Sequence, residues 1–419
     1  MFNTKNLSLI EFELDSSFNS IKEWLDSSHF GYEDYVNLEK LKKYGIIVEK
    51  EEDDEKEAIE NIMKTRNTNV FSAVFSITYK CNFNCVYCFE KSNKIMKKEM
   101  SEEVLLSSLN WCEKMIKYLN FSYISVVPFG GEPLLNFRGI MKILDYFNEK
   151  FPIPSYSLNY YISTNGSLLN EQKIDMMIKK GLNRYQITLD GLPETHNKRR
   201  SCGKDTFNII WKNILYIIRN SGFVELLFVA DMENINDFVP LIEFLNKESK
   251  REPLIKEKIR VHTSLVEPVE ACMERAKQFL LGKEKEIAIK IIEGLKYAKH
   301  LGFKIYLPYY SNVCLRQLYY GFLIDPDGDV YKCYGAGGDK RYKIGSIDTP
   351  IDKILESARK WADMDVWDKE CLNCQIFPLC RGAFCQHQAA QFFDGEYGHK
   401  FCNKELDIFF IKESIKHLY

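Results

Sequence analysis

The sequence predicts an α/β protein built on a parallel β-sheet. From residue 70 onward, short runs of β-branched and aromatic residues alternate with longer amphipathic segments that are typical of helices. The apolar runs lie at 72–79, 122–128, 157–163, 184–189, 224–231 and 257–263, and helical segments at 101–118, 136–149, 170–180, 206–220 and 236–247 separate them. Because parallel strands need crossover connections, this order favours six strand units in one parallel sheet.

Length, charge and cysteine content limit the classes of protein to which this chain can belong. The 419 residues, 45% of them hydrophobic, are enough for two or three domains with a substantial core. A net charge of −2 gives no case for nucleic acid or a membrane surface as a partner. No run of 18 or more apolar residues and no signal-peptide pattern appears, so we expect a cytoplasmic protein. Disulfides are rare in that compartment, so the 13 cysteines indicate metal binding.

The strongest local signal is a cysteine triad directly after the first apolar run. Cys81, Cys85 and Cys88 have Cys-x3-Cys-x2-Cys spacing in the stretch YKCNFNCVYCFE. Three thiolates cannot complete the ligand shell of a four-iron cluster, so the spacing indicates a 4Fe-4S cluster with one iron open to another ligand. For the triad alone, a zinc knuckle or a half-site completed by distant thiols remains an alternative.

The triad resembles the defining motif of the radical S-adenosylmethionine (SAM) enzymes, in which an aromatic residue, here Tyr87, usually precedes the last cysteine. In that family the open iron binds the amino and carboxylate groups of SAM. An electron from the cluster then cleaves SAM to methionine and a 5′-deoxyadenosyl radical. The resemblance implies a partial (βα)6 TIM-like barrel, whose functional residues lie at the carboxyl ends of the strands.

The segment after the second strand supports this resemblance. In PFGGEPLL the residues Gly130, Gly131, Glu132 and Pro133 match the GGEP motif that the family uses to hold the ammonium group of SAM. Two glycines let a backbone approach a ligand closely, and a carboxylate is a charged acceptor.

Two later strand ends continue the pattern. In STNG the resemblance places Ser163 and Asn165 near the ribose and methionine portions of SAM, although the same residues are also typical of a turn that caps the next helix. In QITLDGLPETHNKRR it makes Thr188 and Arg200 candidates for the SAM carboxylate, because an arginine fork can donate two hydrogen bonds. Asp190 and His196 would shape this loop, and the neighbouring Arg199 is the alternative arginine.

The carboxyl-terminal third contains a second cysteine set. Gly328 lies between its first two members, and the full set is Cys314, Cys333, Cys371, Cys374, Cys380, Cys385 and Cys402. This set resembles the SPASM domain, which binds two auxiliary 4Fe-4S clusters. The segment CRGAFC departs from the family by placing four residues instead of three between its cysteines. Two structural zinc sites are the alternative interpretation.

The resemblance also implies how these cysteines are shared. Cys371, Cys374, Cys380 and Cys402 would hold an outer cluster, and Cys314, Cys333 and Cys385 an inner one. Relatives that complete the inner shell have a further cysteine where this chain has Tyr320, so the inner cluster is predicted to have an open ligand position. The remaining Cys112, Cys202 and Cys272 are predicted to be small buried hydrophobic residues.

Four regions follow from these motifs. Residues 71–265 would form the barrel, 266–310 a helical linker and 311–419 the SPASM domain. Residues 1–70 suggest a small α/β, winged-helix-like domain, which loosely resembles domains that bind a leader peptide as an added edge strand. A helical cover that only packs on the barrel is the alternative for this region.

Together, the two auxiliary clusters and the leading domain resemble maturases of ribosomally synthesised peptides (RiPPs) of the sactipeptide or ranthipeptide type, which join a cysteine sulfur to a carbon. The resemblance implies SAM and three 4Fe-4S clusters as cofactors. It implies a cysteine-containing precursor peptide with a leader as substrate, and a low-potential electron donor of the flavodoxin or ferredoxin type.

Three other functions remain open on sequence grounds: a carbon–carbon crosslinking maturase, a formylglycine-forming anaerobic sulfatase maturase and a zinc-binding protein. Sulfatase maturases typically carry an aspartate base where this chain has Tyr334. No catalytic base is assigned, since Asp325 and Asp327 are typical turn residues.

Overall fold

The computed structural model describes residues 39, 43, 54–92, 98–200, 204–266, 268–269, 273–306, 314–364, 367–374, 376–380, 385–387, 390, 393, 396, 398–400, 402 and 404–418. The chain divides into two compact units, one of residues 1–64 with 367–382 and one of residues 65–366 with 383–419. Most of the predicted leader-binding domain, residues 1–70, therefore lies outside the described residues.

The larger unit contains two β-sheets. The first has the strand order β11-β10-β9-β1-β2-β3 and the second the order β4-β5-β6-β7-β8. The strands are β1 (Val70–Thr78), β2 (Tyr123–Gly130), β3 (Ser157–Tyr160), β4 (Ile162–Thr164), β5 (Arg184–Thr188), β6 (Phe223–Ala230), β7 (Ile259–Leu265), β8 (Lys304–Ile305), β9 (Gly321–Ile324), β10 (Asp329–Tyr331) and β11 (Gly345–Ser346).

Helices connect most consecutive parallel strands. They are α1 (Asp54–Arg66), α2 (Glu102–Leu119), α3 (Phe137–Lys150), α4 (Glu171–Lys179), α5 (Pro193–Arg200), α6 (Phe207–Arg219), α7 (Phe238–Ser249), α8 (Leu254–Lys258), α9 (Met273–Phe279), α10 (Glu284–His300), α11 (Ile351–Ala362), α12 (Lys369–Leu372), α13 (Phe377–Cys380) and α14 (Lys404–Leu418). Some of them begin with a side-chain cap: Ser101, for example, accepts a hydrogen bond from the Val104 N–H at the start of α2.

Side-chain alternation explains how the helices cover the sheet. In β1 the residues Phe71, Phe75 and Ile77 belong to the main core with buried residues of the helices, whereas Val74 belongs to a second cluster on the other face. β1 pairs in parallel with β2, and β5, β6 and β7 continue the parallel pattern in the second sheet. The α/β class and the parallel sheet predicted from the sequence are confirmed, and the arrangement is consistent with a partial TIM barrel.

Several pairings go beyond the six predicted strand units. The run predicted at 157–163 is divided at Tyr161 into β3 and β4, which belong to different sheets. β8 adds a parallel strand to β7, and β9 adds one to β1 before the antiparallel β10. The carboxyl-terminal helix α14 packs on α10. Within the described ranges, no helix has both the length and the apolar character needed to cross a membrane.

Candidate cofactor site

The three triad cysteines lie on one loop after β1. Cys81 is exposed, Cys85 buried and Cys88 half-buried, and the Phe83 N–H donates to Cys81 Sγ at 3.4 Å. Burial raises the pKa of Cys88 to about 12, and the neighbouring Glu90 adds to the rise. Metal binding must therefore displace a thiol proton. Three sulfur donors on one loop fit an iron–sulfur cluster whose remaining ligand comes from elsewhere.

The triad loop is hydrogen-bonded to the end of α5. The Asn84 N–H donates to the Arg200 carbonyl at 3.2 Å, and the Val86 N–H donates to the Arg199 carbonyl at 3.0 Å. The pKa of Arg200 is raised by nearby acidic groups, Cys85 foremost among them, although burial acts in the opposite direction. Arg200 is therefore a fixed positive charge beside the triad.

Gly130 and Gly131 lie at the end of β2, where the backbone is in close contact with the backbone at the end of β1. Gly130 has a φ of +132°, and a Cβ there would be 2.0 Å from the Thr78 carbonyl oxygen; at Gly131 a Cβ would be 2.6 Å from the Lys80 oxygen. The N–H groups of Gly131 and Glu132 donate to these two carbonyls at 3.0 and 2.9 Å. The sequence predicts that the two glycines let the backbone approach a ligand, whereas in the structure they let it approach the backbone of Thr78 and Lys80. This contact places Glu132 beside the triad loop.

The Glu132 carboxylate is fully buried and accepts three hydrogen bonds. Oε1 accepts from the Leu134 N–H at 3.0 Å and from Thr164 Oγ1 at 2.7 Å, and Oε2 accepts from the Asn165 N–H at 2.8 Å. Burial raises its pKa, and these hydrogen bonds oppose the rise. A carboxylate has about four acceptor positions, so Oε2 can accept one more donor, such as an ammonium group. Pro133 follows and begins a short helix.

The end of β4 places two neighbouring hydroxyls on opposite faces. Ser163 Oγ donates to Gln186 Oε1 on β5 at 3.3 Å, whereas Thr164 is buried on the other face and donates to Glu132. Sequence reasoning names Ser163 and misses Thr164. The alternation of a strand separates the two residues, but it does not tell which face meets the carboxylate.

The loop after β5 joins the fourth motif to the triad. Thr188 is buried at the end of β5, and the Tyr87 hydroxyl donates to the Asp190 carboxylate and accepts from Arg200 Nη1. His196 Nδ1 accepts from the Asp190 N–H at 3.4 Å, and burial lowers the pKa of His196 to about 3, so its ring is neutral at pH 7. Asp190 and His196 thus hold the loop, and Tyr87 links the triad loop to Arg200.

Arg199 is also paired with two acids of the segment after β6. Its Nη1 donates to Asp231 Oδ1 at 2.9 Å and to Glu233 Oε2 at 3.0 Å, and both Arg199 and Asp231 are almost completely buried. Arg275 Nε also donates to Asp231, at 2.8 Å. Both guanidinium groups lie near Tyr87 and Asp190, with Arg199 Nε 3.7 Å from Asp190 Oδ2, but Arg200 is the one that donates a hydrogen bond to the Tyr87 hydroxyl.

Two cysteines of the second set lie near the loop after β2. Cys314 and Cys333 are both close enough to Tyr334 to raise its pKa, after burial, which is the larger cause. The Tyr334 ring meets the ring of Phe129 with centroids 4.9 Å apart at 71°. Because Cys333 directly precedes Tyr334 and Phe129 directly precedes Gly130, Cys333 lies near the loop that carries the GGEP residues.

Three further cysteines belong to the unit of residues 1–64 and 367–382. Cys371 is buried, and Cys374 and Cys380 are half-buried. Asp368 Oδ1 accepts from the Cys371 N–H at 2.9 Å, and the Cys374 N–H donates to the Cys371 carbonyl at 3.0 Å, which forms a compact turn.

The remaining cysteines fall into three groups. Cys385 and Cys402 are exposed and belong to the larger unit, so the division of seven cysteines between an inner and an outer cluster stays a prediction. Cys112 is fully buried in α2. Cys202 and Cys272 lie outside the described residues.

The two aspartates considered as bases serve the turn before β10. Asp325 Oδ1 accepts from the Asp327 N–H at 2.9 Å and from the Asp329 N–H at 3.0 Å. Asp327 forms ion pairs with Lys98 and Lys340. Burial raises the pKa of Asp325 to about 6. These contacts are sufficient to explain both residues without a catalytic role.

Comparison with protein families identifies two regions of the chain. Residues 75–245 match the model of the radical SAM superfamily, and residues 314–375 match that of SPASM, an iron–sulfur cluster-binding domain. The first match contains the triad and the three later strand-end motifs, and the second contains Cys314, Cys333, Cys371 and Cys374.

Individual relatives share this arrangement. The radical SAM cyclopropyl synthase TigE of Paramaledivibacter caminithermalis is 23% identical in an alignment of length 335 that covers 73% of this chain and 66% of TigE. A cysteine-type anaerobic sulfatase-maturating enzyme of Clostridium novyi is 25% identical in an alignment of length 351 that covers 77% of this chain and 89% of that enzyme. The structure of Streptococcus suis SuiB bound to precursor peptide SuiA has a similar fold, with a TM-score of 0.55 at 13% identity, and covers 88% of this chain and 87% of SuiB.

Proposed function

Since this chain carries a radical SAM domain and a SPASM domain and is an enzyme of the radical SAM superfamily, we propose that it joins a cysteine sulfur to a carbon atom within a ribosomal precursor peptide. SAM and 4Fe-4S clusters follow from the two domains; the number of three clusters is part of the proposal. The precursor peptide bound to SuiB supports a peptide substrate. Residues 1–70 would bind the leader, and a flavodoxin or ferredoxin would supply the first electron.

The geometry suggests how the chain holds SAM. Cys81, Cys85 and Cys88 would ligate the radical cluster, the free position on Glu132 Oε2 would take the ammonium group, and Arg200 with Thr188 would take the carboxylate. When bound, the cluster and SAM supply a 5′-deoxyadenosyl radical that removes one hydrogen atom from a carbon of the peptide. Ser163 lies on the adjoining strand end, where it would face the ribose.

The observation that supports sulfur-to-carbon bond formation is that Cys333 directly precedes Tyr334, whose ring meets that of Phe129 at the end of β2. An iron site held by Cys333, with Cys314 as a further ligand, would lie close to the loop that carries Glu132, and thiolates are natural iron ligands. Forming the thioether removes a hydrogen atom from the carbon and a proton from the thiol, and an auxiliary cluster, when bound, would accept the surplus electron. A phenol, not a carboxylate, stands beside these cysteines, which fits a thiol deprotonated on binding iron.

The test is an anaerobic reaction of the full-length, reconstituted enzyme with SAM, a reductant and a cysteine-containing precursor peptide that carries its leader. We expect the peptide to lose two hydrogen atoms per crosslink and its cysteine to resist alkylation. A loss of two hydrogens with an alkylatable cysteine would instead indicate a carbon–carbon bond, which the similarity to TigE makes the second candidate. An aldehyde with loss of sulfur would indicate formylglycine, and an unchanged peptide despite SAM cleavage would reject a peptide maturase.

A substitution of Tyr334 distinguishes a packing role for this residue from a role as general base. If Tyr334 serves only by packing on Phe129, Tyr334→Phe keeps the ring contact and product formation should stay within about threefold of the wild-type rate. A general base contributes about 100-fold or more, so a drop of that size in Tyr334→Phe would contradict the proposal. Initial rates of product formation, measured by mass spectrometry at equal iron content, make the comparison.

A further inference from the structure

Three polar side chains form a closed ring of hydrogen bonds between the triad loop and the turn after β4. Asn165 Nδ2 donates to Asn82 Oδ1 at 2.9 Å, Asn82 Nδ2 donates to Ser167 Oγ at 2.9 Å, and Ser167 Oγ donates to Asn165 Oδ1 at 2.7 Å. The Ser167 N–H adds a bond to Asn165 Oδ1 at 2.9 Å. Each residue donates once and accepts at least once around the ring, an arrangement in which hydrogen bonds strengthen one another.

The ring links the triad to Glu132. Asn82 directly follows Cys81, and the backbone N–H of Asn165 donates to Glu132 Oε2, the oxygen with a free acceptor position. One end of the ring therefore holds the first cysteine of the triad, and the other end holds the carboxylate next to it. The contacts also occupy Asn165 Oδ1 and one Nδ2 hydrogen.

We infer that Asn82, Asn165 and Ser167 are positioning residues that set the orientation of the triad loop relative to Glu132, so that one SAM molecule meets both the open iron and the carboxylate. A chelated ligand needs its two attachment points at a fixed separation, and loosening one of them loses affinity without removing a direct contact. The sequence predicts contact with SAM for Asn165; in this interpretation its side chain acts through Asn82 and Ser167 instead.

Other contacts of the triad loop should let the cluster assemble without the ring. Asn84 and Val86 remain bonded to the end of α5, and the Glu132 N–H remains bonded to Lys80. For Asn82→Ala we therefore expect wild-type iron content and an unchanged EPR spectrum of the reduced cluster without SAM. The dissociation constant for SAM should rise about tenfold, the effect of losing one to two net hydrogen bonds, and the SAM-induced change in the EPR spectrum should differ from that of the wild type.

The probe is SAM alone, bound to the full-length reconstituted enzyme without peptide, so the outcome does not depend on which bond the enzyme forms in its substrate. Asn170→Ala is the matched control, because Asn170 caps α4 on the same segment without joining the ring. It should lower the unfolding temperature slightly, as the loss of a helix N-cap does, and leave SAM affinity unchanged. Wild-type SAM affinity and a wild-type EPR response in Asn82→Ala would overturn the inference.

Ser167→Ala breaks the ring at a residue that is not next to a triad cysteine. This variant therefore tests the inference even if Asn82→Ala loses iron. We expect Ser167→Ala to weaken SAM binding about tenfold, and the double variant Asn82→Ala/Ser167→Ala to be no weaker than either single one. Residues that act as one unit show such non-additivity, whereas independent contacts add in free energy. A double variant about 100-fold weaker than the wild type, or a Ser167→Ala enzyme with normal affinity, would reject the ring as a unit.

Discussion

Gly130→Ala is expected to remove the radical cluster, with a loss of about four irons per chain and a destabilisation of about 3 kcal/mol. The physical reason is steric. A Cβ on Gly130 would lie 2.0 Å from the carbonyl oxygen of Thr78, which is backbone and cannot rotate away, and the φ of +132° is one that L residues rarely adopt. Relief requires movement of the strand end three residues before Cys81, so the triad loop has to shift.

Gly282→Ala is the matched control for the effect of a positive φ. Gly282 has a φ of +79°, and no heavy atom lies within 4 Å of a Cβ placed there. The substitution should cost about 1 kcal/mol and leave the iron content unchanged. Iron analysis and thermal unfolding of the wild type, Gly130→Ala and Gly282→Ala separate the effect of the steric clash at Gly130 from the cost of a positive φ. Equal iron content in Gly130→Ala and wild type would show that the strand end can yield without disturbing the triad.

The motifs predicted from the sequence are those whose residues are neighbours in the chain. The Cys81–Cys88 spacing and the Gly130–Pro133 run are local patterns, and the structure brings them together because parallel strands end at the same edge. The alternation of apolar runs with amphipathic segments likewise predicts the strands that are connected by helices.

The missed features depend on pairs that are distant in the sequence. The hydrogen bonds of Asn82 to Ser167 and of Thr164 to Glu132 join different strand ends, and no local pattern distinguishes these polar residues from ordinary turn residues. The parallel pairing of β9 with β1 also joins segments far apart in the chain. Such pairings are set by tertiary packing, so a periodic sequence pattern does not reveal them.

Arg199 and Arg200 are adjacent in the chain, and their different surroundings predict different defects. Arg199→Met should destabilise the protein by about 3–5 kcal/mol, because it leaves the fully buried Asp231 with one fewer cation. Arg200→Met should have a smaller effect on unfolding, since Arg200 donates to the Tyr87 hydroxyl and is 3.9 Å from the Asp190 carboxylate, which keeps Arg199 at 3.7 Å. Its effect should instead be a SAM affinity about 10- to 100-fold lower, the range for a charged hydrogen bond.

Arg200→Lys tests whether charge alone is sufficient at this position. A lysine keeps the positive charge beside Cys85 and Glu132 but loses the planar fork that can bind a carboxylate and the Tyr87 hydroxyl at once. We expect intermediate SAM affinity for Arg200→Lys and iron content equal to the wild type in both Arg200 variants. Thermal unfolding and anaerobic SAM titration measure the two effects separately. If Arg199→Met unfolds like the wild type but fails to bind SAM, while Arg200→Met binds it normally, the two arginines have the opposite roles. In that case the buried Asp231 and the more exposed Glu233 do not neutralise Arg199 as their distances indicate.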